Sequence, residues 1–528
     1  MFAFNLLLAA SLLFSADARP ATTSSLAGSS SVTRVTPLGI AVGVLDPDGA
    51  YRFPVKYGSA ARWQPSTVAT SWGLPTGAST AAGLPLTCPQ NDADPSTFTE
   101  DCLSLILYVP PSFNVVTAAP TLVWIHGGSF IVGSATDPGL DGSKLALATN
   151  SIVAVIQYRL GTLGFMAPNN QTNLGLKDTV TALKFLRTVL PSFGGSPSKI
   201  TLAGQSSGAS AIRALLGTPS AASLFRSAIL QSDTMDYGFL GTSTQATLVS
   251  SFAAELGCGS SSSCLNALPL YKILNAENDL INNAAGLDAA AGSVEPIRPV
   301  LDGTFLTSPL DSTAPFPSVS KPILVTTVLN EAGPAIYGAS SLTANTLSAD
   351  TFQLVCEGGF GDVRAAAILN SPFYVVSGTD ARVQLQTLGT DQVWRCPSWT
   401  FSRAWVQNGG TAFVGQFVVG STYPANAGLP FCAQAGVVCH QDDIMIVFGT
   451  APNPTSAQAT LITQMQAHYK AFLASGNPNA AGVPAWTAAG TSDVHPLVLG
   501  GSGEVAVAAC TPTFWGVMPT YDYQVFNE

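Results

Sequence analysis

At 528 residues, with 47% hydrophobic and only 10% charged side chains, the chain has the apolar content for a sizeable core and lacks the charge of a disordered protein. Its formal net charge of -10 opposes polyanions, and no Lys/Arg-rich run offsets it, so nucleic acid is excluded as a partner.

The N-terminus reads as a secretory signal. An apolar stretch from Phe2 to Phe14 is followed by small residues at Ala16 and Ala18, which predicts cleavage near Ala18 and export, although the segment lacks a leading Lys or Arg. It is too short to span a bilayer, and no later segment has about 18 unbroken apolar residues, so no membrane span is expected. Residues 19–528 are read as one domain. Its first stretch, 19–35, is rich in Ser, Thr, Ala and Gly and is expected to be a loose lead-in.

Beyond it, short apolar runs alternate with longer helical patterns. Strand candidates are Thr121–His126, Ile152–Tyr158, Lys199–Ala203, Ala228–Gln231, Pro322–Leu329 and Thr411–Val419, nearly continuous in Val, Ile, Leu and Thr. Such runs suit strands buried on both faces of a mostly parallel sheet. Helical patterns at Leu176–Val189, Ala209–Leu216 and Ala457–Ala474 complete an α/β fold, a large central sheet with helices on both faces.

In an oxidising compartment most of the nine cysteines should pair. Spacing suggests Cys88–Cys102, Cys258–Cys264 and Cys432–Cys439. Cys356–Cys396 is the remaining guess, leaving Cys510 over, since connectivity does not follow from sequence. No CxxC pair or Cys/His cluster calls for a metal. The triplet Asn170-Gln171-Thr172 is a glycosylation sequon.

The chemistry centres on GQSSG, Gly204 to Gly208, between the strand KITLA and the helix ASAIRALL. A serine at the tip of a sharp strand-to-helix turn needs small neighbours, because the backbone there is crowded and strained. Ser206 is therefore the candidate nucleophile; an ordinary Gly/Ser turn is the alternative. HGGSF, His126 to Phe130, follows the strand TLVWI, and glycine-rich backbone there can aim N–H groups at a developing oxyanion.

Four histidines compete for the general base: His126, His440, His468 and His495. His126 belongs to the glycine-rich loop. His468 falls in the helical pattern QMQAHYKAF, where it is a packed or surface side chain. His495 precedes a proline near the C-terminus. His440 follows the last strand candidate on a loop, and so satisfies the chain order nucleophile, acid, histidine. Glu331, after PILVTTVLN, is placed to orient its ring; Asp302 and Asp443 are the rivals.

Together these stretches resemble the type-B carboxylesterase/lipase family, the group that includes cholinesterases and several fungal lipases. The resemblance is carried by TEDCL (Thr99 to Leu103), WIHGGSF, QYRLGTLGF, NLGLKDTVTALKFL, FGGSPSKITLAGQSSGA, LNEAG and CHQDDIMIVFG, and extends over about residues 40–525. It implies an α/β-hydrolase fold and an ester hydrolase with a Ser206–His440–Glu331 triad. The oxyanion donors would be the backbone amides of Gly128, Ser129 and Ser207, and no cofactor or metal would be needed. The chain departs from the family at Ser129, usually glycine, at Gln205, often glutamate, and at Ser207, commonly alanine.

The segment between Cys88 and Cys102 has 13 residues, with four acids and one aromatic, Phe98. It cannot form the wide amphipathic lid of the fungal lipases. Soluble short- or medium-chain esters, or aryl esters of the hydroxycinnamoyl kind, are expected as substrates. A lipase or sterol esterase is the alternative, and a non-catalytic binding protein of the same family the remote one. Acyl preference and oligomeric state are not legible.

Overall fold

The computed structural model describes residues 31–515 apart from positions 92, 260, 312, 340, 341 and 343–345. The signal segment lies outside the described residues.

The strands in chain order are β1 (Ser31–Thr36), β2 (Gly39–Leu45), β3 (Tyr51–Lys56), β4 (Gly58–Ser59), β5 (Thr67–Val68), β6 (Ser104–Val109) and β7 (Ala119–Ile125). There follow β8 (Ile152–Ile156), β9 (Gly195–Gln205), β10 (Ser227–Gln231), β11 (Pro322–Val328), β12 (Thr411–Phe417) and β13 (Leu497–Leu499). Among the described residues, eleven of them form one sheet in the order β1-β2-β3-β6-β8-β7-β9-β10-β11-β12-β13, while β4 and β5 make a separate ribbon. Pairings from β1 to β8 along the sheet are antiparallel, and those from β8 onward are parallel.

Each strand expected from the apolar runs is present, with ends shifted by a few residues. The lead-in is not entirely loose: Ser31–Thr36 pairs with β2 as an edge strand. Its alternating exposed and half-buried pattern carries little of the apolar signal that marks the central strands.

Along β7 and β8 successive side chains point to opposite faces. Val123, Ile125, Ile152 and Ile156 join one apolar cluster, and Leu122, Trp124, Val153 and Val155 the other. The helices covering these faces include α1 (Leu174–Val189), α2 (Ser207–Leu216), α3 (Leu270–Leu287), α4 (Cys396–Gln407) and α5 (Ser456–Ser475). A buried pair, Arg159 with Asp178 of α1 at 2.7 Å, ties the loop after β8 to that helix.

The disulfides Cys88–Cys102, Cys258–Cys264 and Cys432–Cys439 are formed as their spacing suggests. The guess Cys356–Cys396 is wrong. Cys396, at the start of α4, is bonded to Cys510, and Cys356 is a buried free thiol. The C-terminal segment returns onto α4 across 114 positions, a contact that spacing does not encode.

Candidate active site

Ser206 sits where β9 runs into α2. Its backbone adopts φ 57°, ψ -132°, a strained conformation for a residue with a side chain. The turn is held by the Ser206 amide, which donates to the Gln231 carbonyl at the end of β10 (2.9 Å). A side chain at Gly208 would place Cβ 2.2 Å from the Ile125 carbonyl oxygen, and one at Gly204 would meet the same oxygen at 2.7 Å. Both glycines of GQSSG are thus required by the close approach of β7 to the turn.

The glycine-rich loop after β7 folds over this turn. Gly128 has φ 109°, and a Cβ there would fall 2.2 Å from the Val132 carbonyl oxygen. Ser129 and Phe130 follow with φ 53° and 62°. The Phe130 amide donates to the Ser207 hydroxyl (3.2 Å), which locks the loop to the start of α2. The amide of Ser207 opens that helix, where the backbone dipole favours negative charge. His126 is stacked on Tyr158 and buried, and burial lowers its pKa, which fits a structural role under the loop.

Glu331 lies just beyond β11 and is 1% exposed. One carboxylate oxygen accepts the Val328 amide at 2.8 Å, and the other faces His440 Nδ1 at 2.6 Å. That contact assigns the proton of neutral His440 to Nδ1 and leaves Nε2 as a hydrogen-bond acceptor. Burial alone would lower the pKa of His440. The hydrogen bond and charge of Glu331, with the charges of Asp443 and Glu295, outweigh it and raise the pKa above the ordinary 6.5. Among the described residues, the hydrogen bond to Nε2 comes from the Gln205 side-chain amide (3.1 Å), not from Ser206.

The rival acids have other roles. Asp302 accepts from Thr172 (2.6 Å) and Asn173 (3.1 Å), away from the histidine. Asp443 accepts the Gln231 amide at 2.5 Å, and burial pushes its pKa to about 7. Asp442 clamps the histidine loop, accepting from Cys439 N, Tyr423 N and Asn426 Nδ2 at 2.7–2.9 Å. Asn426 also donates to the His440 carbonyl (2.8 Å). The Cys432–Cys439 bond ends beside His440, and Asn330 N donates to Val438 O (2.8 Å), joining the acid loop to the histidine loop. Asn426 carried no signal in the sequence, because a lone polar residue in a loop looks like solvated surface; Asp442 and Gln231 fall within CHQDDIMIVFG and the strand candidate Ala228–Gln231, but neither stretch marks them as contacts of the site. His468 is buried against Trp486, and His495 is partly exposed near Glu504.

Ser206, Ser129, Glu331 and His440 wall one narrow cavity, about 20 Å³, room for about one water molecule. Thr234, Tyr237, Glu295 and Trp394 also line it, with Pro334 and Ala335, and Tyr237, Glu295 and Trp394 were not singled out by sequence motifs. Trp394 stands on a π-helical turn, Thr390–Arg395, with its ring 5.5 Å from that of His440. As for metals, Asp391 comes within reach of Cys396 and Cys510, but those two sulfurs are bonded to each other and offer no thiolate.

The family model described as the carboxylesterase family matches residues 54–505. Carboxylesterase 1D of Rattus norvegicus is 29% identical over 418 residues, 74% of this chain and 72% of that protein. The para-nitrobenzyl esterase of Bacillus subtilis (strain 168) is 41% identical over a shorter stretch of 164 residues, 30% of this chain and 32% of its own. Among solved structures, a PNB esterase superposes with a TM-score of 0.69 at 24% identity, covering 88% of this chain and 95% of that one; the shared architecture is the α/β-hydrolase fold.

Proposed function

The chain belongs to the carboxylesterase family and is a carboxylic-ester hydrolase, and we propose that it acts through a Ser206–His440–Glu331 triad with an acyl-enzyme intermediate. One observation carries this reading: a strained serine turn and a buried carboxylate–imidazole pair wall the same cavity.

Ser206 Oγ attacks the ester carbonyl as its proton passes to His440 Nε2. The oxyanion is received by the amides of Gly128, Ser129 and Ser207. His440 then protonates the leaving alcohol, and water activated by the same ring releases the acid. The Gln205 contact adds a feature to this cycle. Its amide must yield the Nε2 lone pair when Ser206 transfers a proton. Its Oε1 is buried without a hydrogen-bond partner among the described residues. A turn of the amide would therefore let Oε1 accept the new imidazolium N–H.

Soluble short- or medium-chain and aryl esters are the proposed substrates. The Cys88–Cys102 segment is pinned rather than lid-like. Gln90 exchanges hydrogen bonds with Gly133 (3.0 and 3.3 Å), and Asn91 donates to Glu277 (3.2 Å). Secretion is supported by the apolar N-terminal segment and by four disulfides among the described residues. No helix among them is long and apolar enough to cross a membrane. The Asn170 side chain is exposed, as attachment of a glycan requires.

The deciding experiment is an ester panel on wild type and Ser206→Ala, with organophosphate labelling followed by peptide mapping. Label on Ser206 and loss of turnover in the variant are expected. An unchanged rate in Ser206→Ala would reject the triad. A rate that jumps above the substrate's solubility limit would favour the lipase alternative.

A further inference from the structure

The loop that carries the proposed oxyanion amides is strained. Gly128, Ser129 and Phe130 have positive φ in succession, at 109°, 53° and 62°. Two residues with side chains stay in that region only where their surroundings hold them. One hold is the Ser207 hydroxyl, which accepts the Phe130 amide. Two further anchors come from other parts of the chain. The Gly161 amide donates to the Phe130 carbonyl (2.7 Å). Gln90 exchanges hydrogen bonds with the backbone of Gly133, where the loop ends (3.0 and 3.3 Å).

Both of these anchors lead to Glu277. This α3 side chain is buried, only 2% exposed. One carboxyl oxygen accepts the amide (2.6 Å) and the hydroxyl (2.9 Å) of Thr162, the neighbour of Gly161. The other accepts the side-chain amide of Asn91 (3.2 Å), the neighbour of Gln90. Gly161 has φ 54°, and a Cβ there would collide with the Glu277 carboxyl, so the turn and the acid are fitted to each other. Among the described residues the partners of Glu277 are neutral donors. Burial raises its pKa to about 7, against the lowering effect of those hydrogen bonds. An acid buried without a cation is costly, and an apolar side chain would pack α3 at less cost. What the acid adds is a junction: one side chain that binds the segments behind both anchors.

Building on the esterase reading, in which this loop receives the oxyanion, we infer that Glu277 is a positioning residue for the reaction. By holding Thr162 and Asn91 it fixes the Gly161 and Gln90 anchors, and through them the places of the Gly128 and Ser129 amides.

The test measures kcat and KM for p-nitrophenyl butyrate, and the inhibition constant of an aryl trifluoromethyl ketone, in wild type, Glu277→Leu, Glu277→Gln and Asn91→Ala. Ser206 adds to this ketone as to an ester and leaves an oxyanion in the loop, so the inhibitor reads the placement of the amides without turnover. Glu277→Leu should lower kcat about tenfold or more, with KM within about threefold, and weaken the ketone in proportion. Glu277→Gln keeps an acceptor for Thr162 and should hold kcat within about threefold of wild type. Asn91→Ala, on a partly exposed segment, cuts one anchor only and should lower kcat about threefold. A folded Glu277→Leu with wild-type kcat overturns the assignment. So does a lowered kcat with unchanged ketone affinity, or a Glu277→Gln no better than Glu277→Leu. If Glu277→Leu does not fold, Asn91→Ala decides, and wild-type kcat and ketone affinity there overturn the assignment. A wild-type protein that neither hydrolyses the ester nor binds the ketone fails the esterase reading itself, which separates the two.

Discussion

The turn that presents Ser206 and the loop that presents His440 are built in different ways. Ser206 lies between a strand and a helix that are both buried, and the glycines at 204 and 208 are fixed by contact with β7. His440 lies on an irregular segment between β12 and α5, held by a disulfide, by Asp442 and Asn426, and by the bond to Glu331. A nucleophile must sit at a fixed place over the sheet, so its geometry is written into contiguous regular structure. A base needs only its ring aimed correctly, and polar contacts from several distant segments can supply that.

The comparison can be broken first at its chemical ends. Ser206→Ala should lower kcat by about 10⁴- to 10⁶-fold with the fold intact, read by ester turnover alongside circular dichroism. Glu331→Gln keeps the shape but loses the anion that holds the Nδ1–H tautomer, and should cost about 10⁴-fold in kcat. A loss under tenfold would show that another group orients His440.

The disulfides sharpen the contrast. Cys396–Cys510 closes 114 positions and Cys432–Cys439 only 7, so removing the first should cost about 2.5 kcal/mol more stability by loop entropy. Urea midpoints of the paired Cys→Ala variants would measure this. Removing the second should instead lower kcat, because it frees the loop beside His440. Equal effects on both properties would count against the division drawn above.

The smallest expected effect is in the pH profile. In the proposed triad His440 must be neutral to accept the serine proton, and its pKa is raised, because Glu331 outweighs the lowering effect of burial. Activity should therefore be lost as pH falls through a value above 6.5, the ordinary histidine value. Gln205→Glu puts a carboxylate against Nε2, favours the imidazolium, and should move this acid limb up by about one unit. A limb that stays in place would mean that the residue at 205 does not govern the proton on His440.

Much of this architecture was legible beforehand because it is local. The doubly buried strands show as unbroken Val, Ile and Leu runs, and the nucleophile turn needs glycines at fixed offsets from Ser206. Glu331 and His440 were reachable through their order along the chain and the motifs around them. The edge strand Ser31–Thr36 was missed because a half-exposed strand has no continuous apolar run.

Contacts between segments far apart in the chain were settled only by folding. These include the pairing of Cys396 with Cys510 and the clamp of Asp442 on the histidine loop. They also include the amide of Gln205 on His440 and the convergence of Tyr237, Glu295 and Trp394 on one cavity. Sequence alone determined which short stretches become strands, turns and helices, because those choices depend on neighbouring residues. Which distant polar groups share a buried space depends on how the sheet and its loops close around it, and that was decided by tertiary packing.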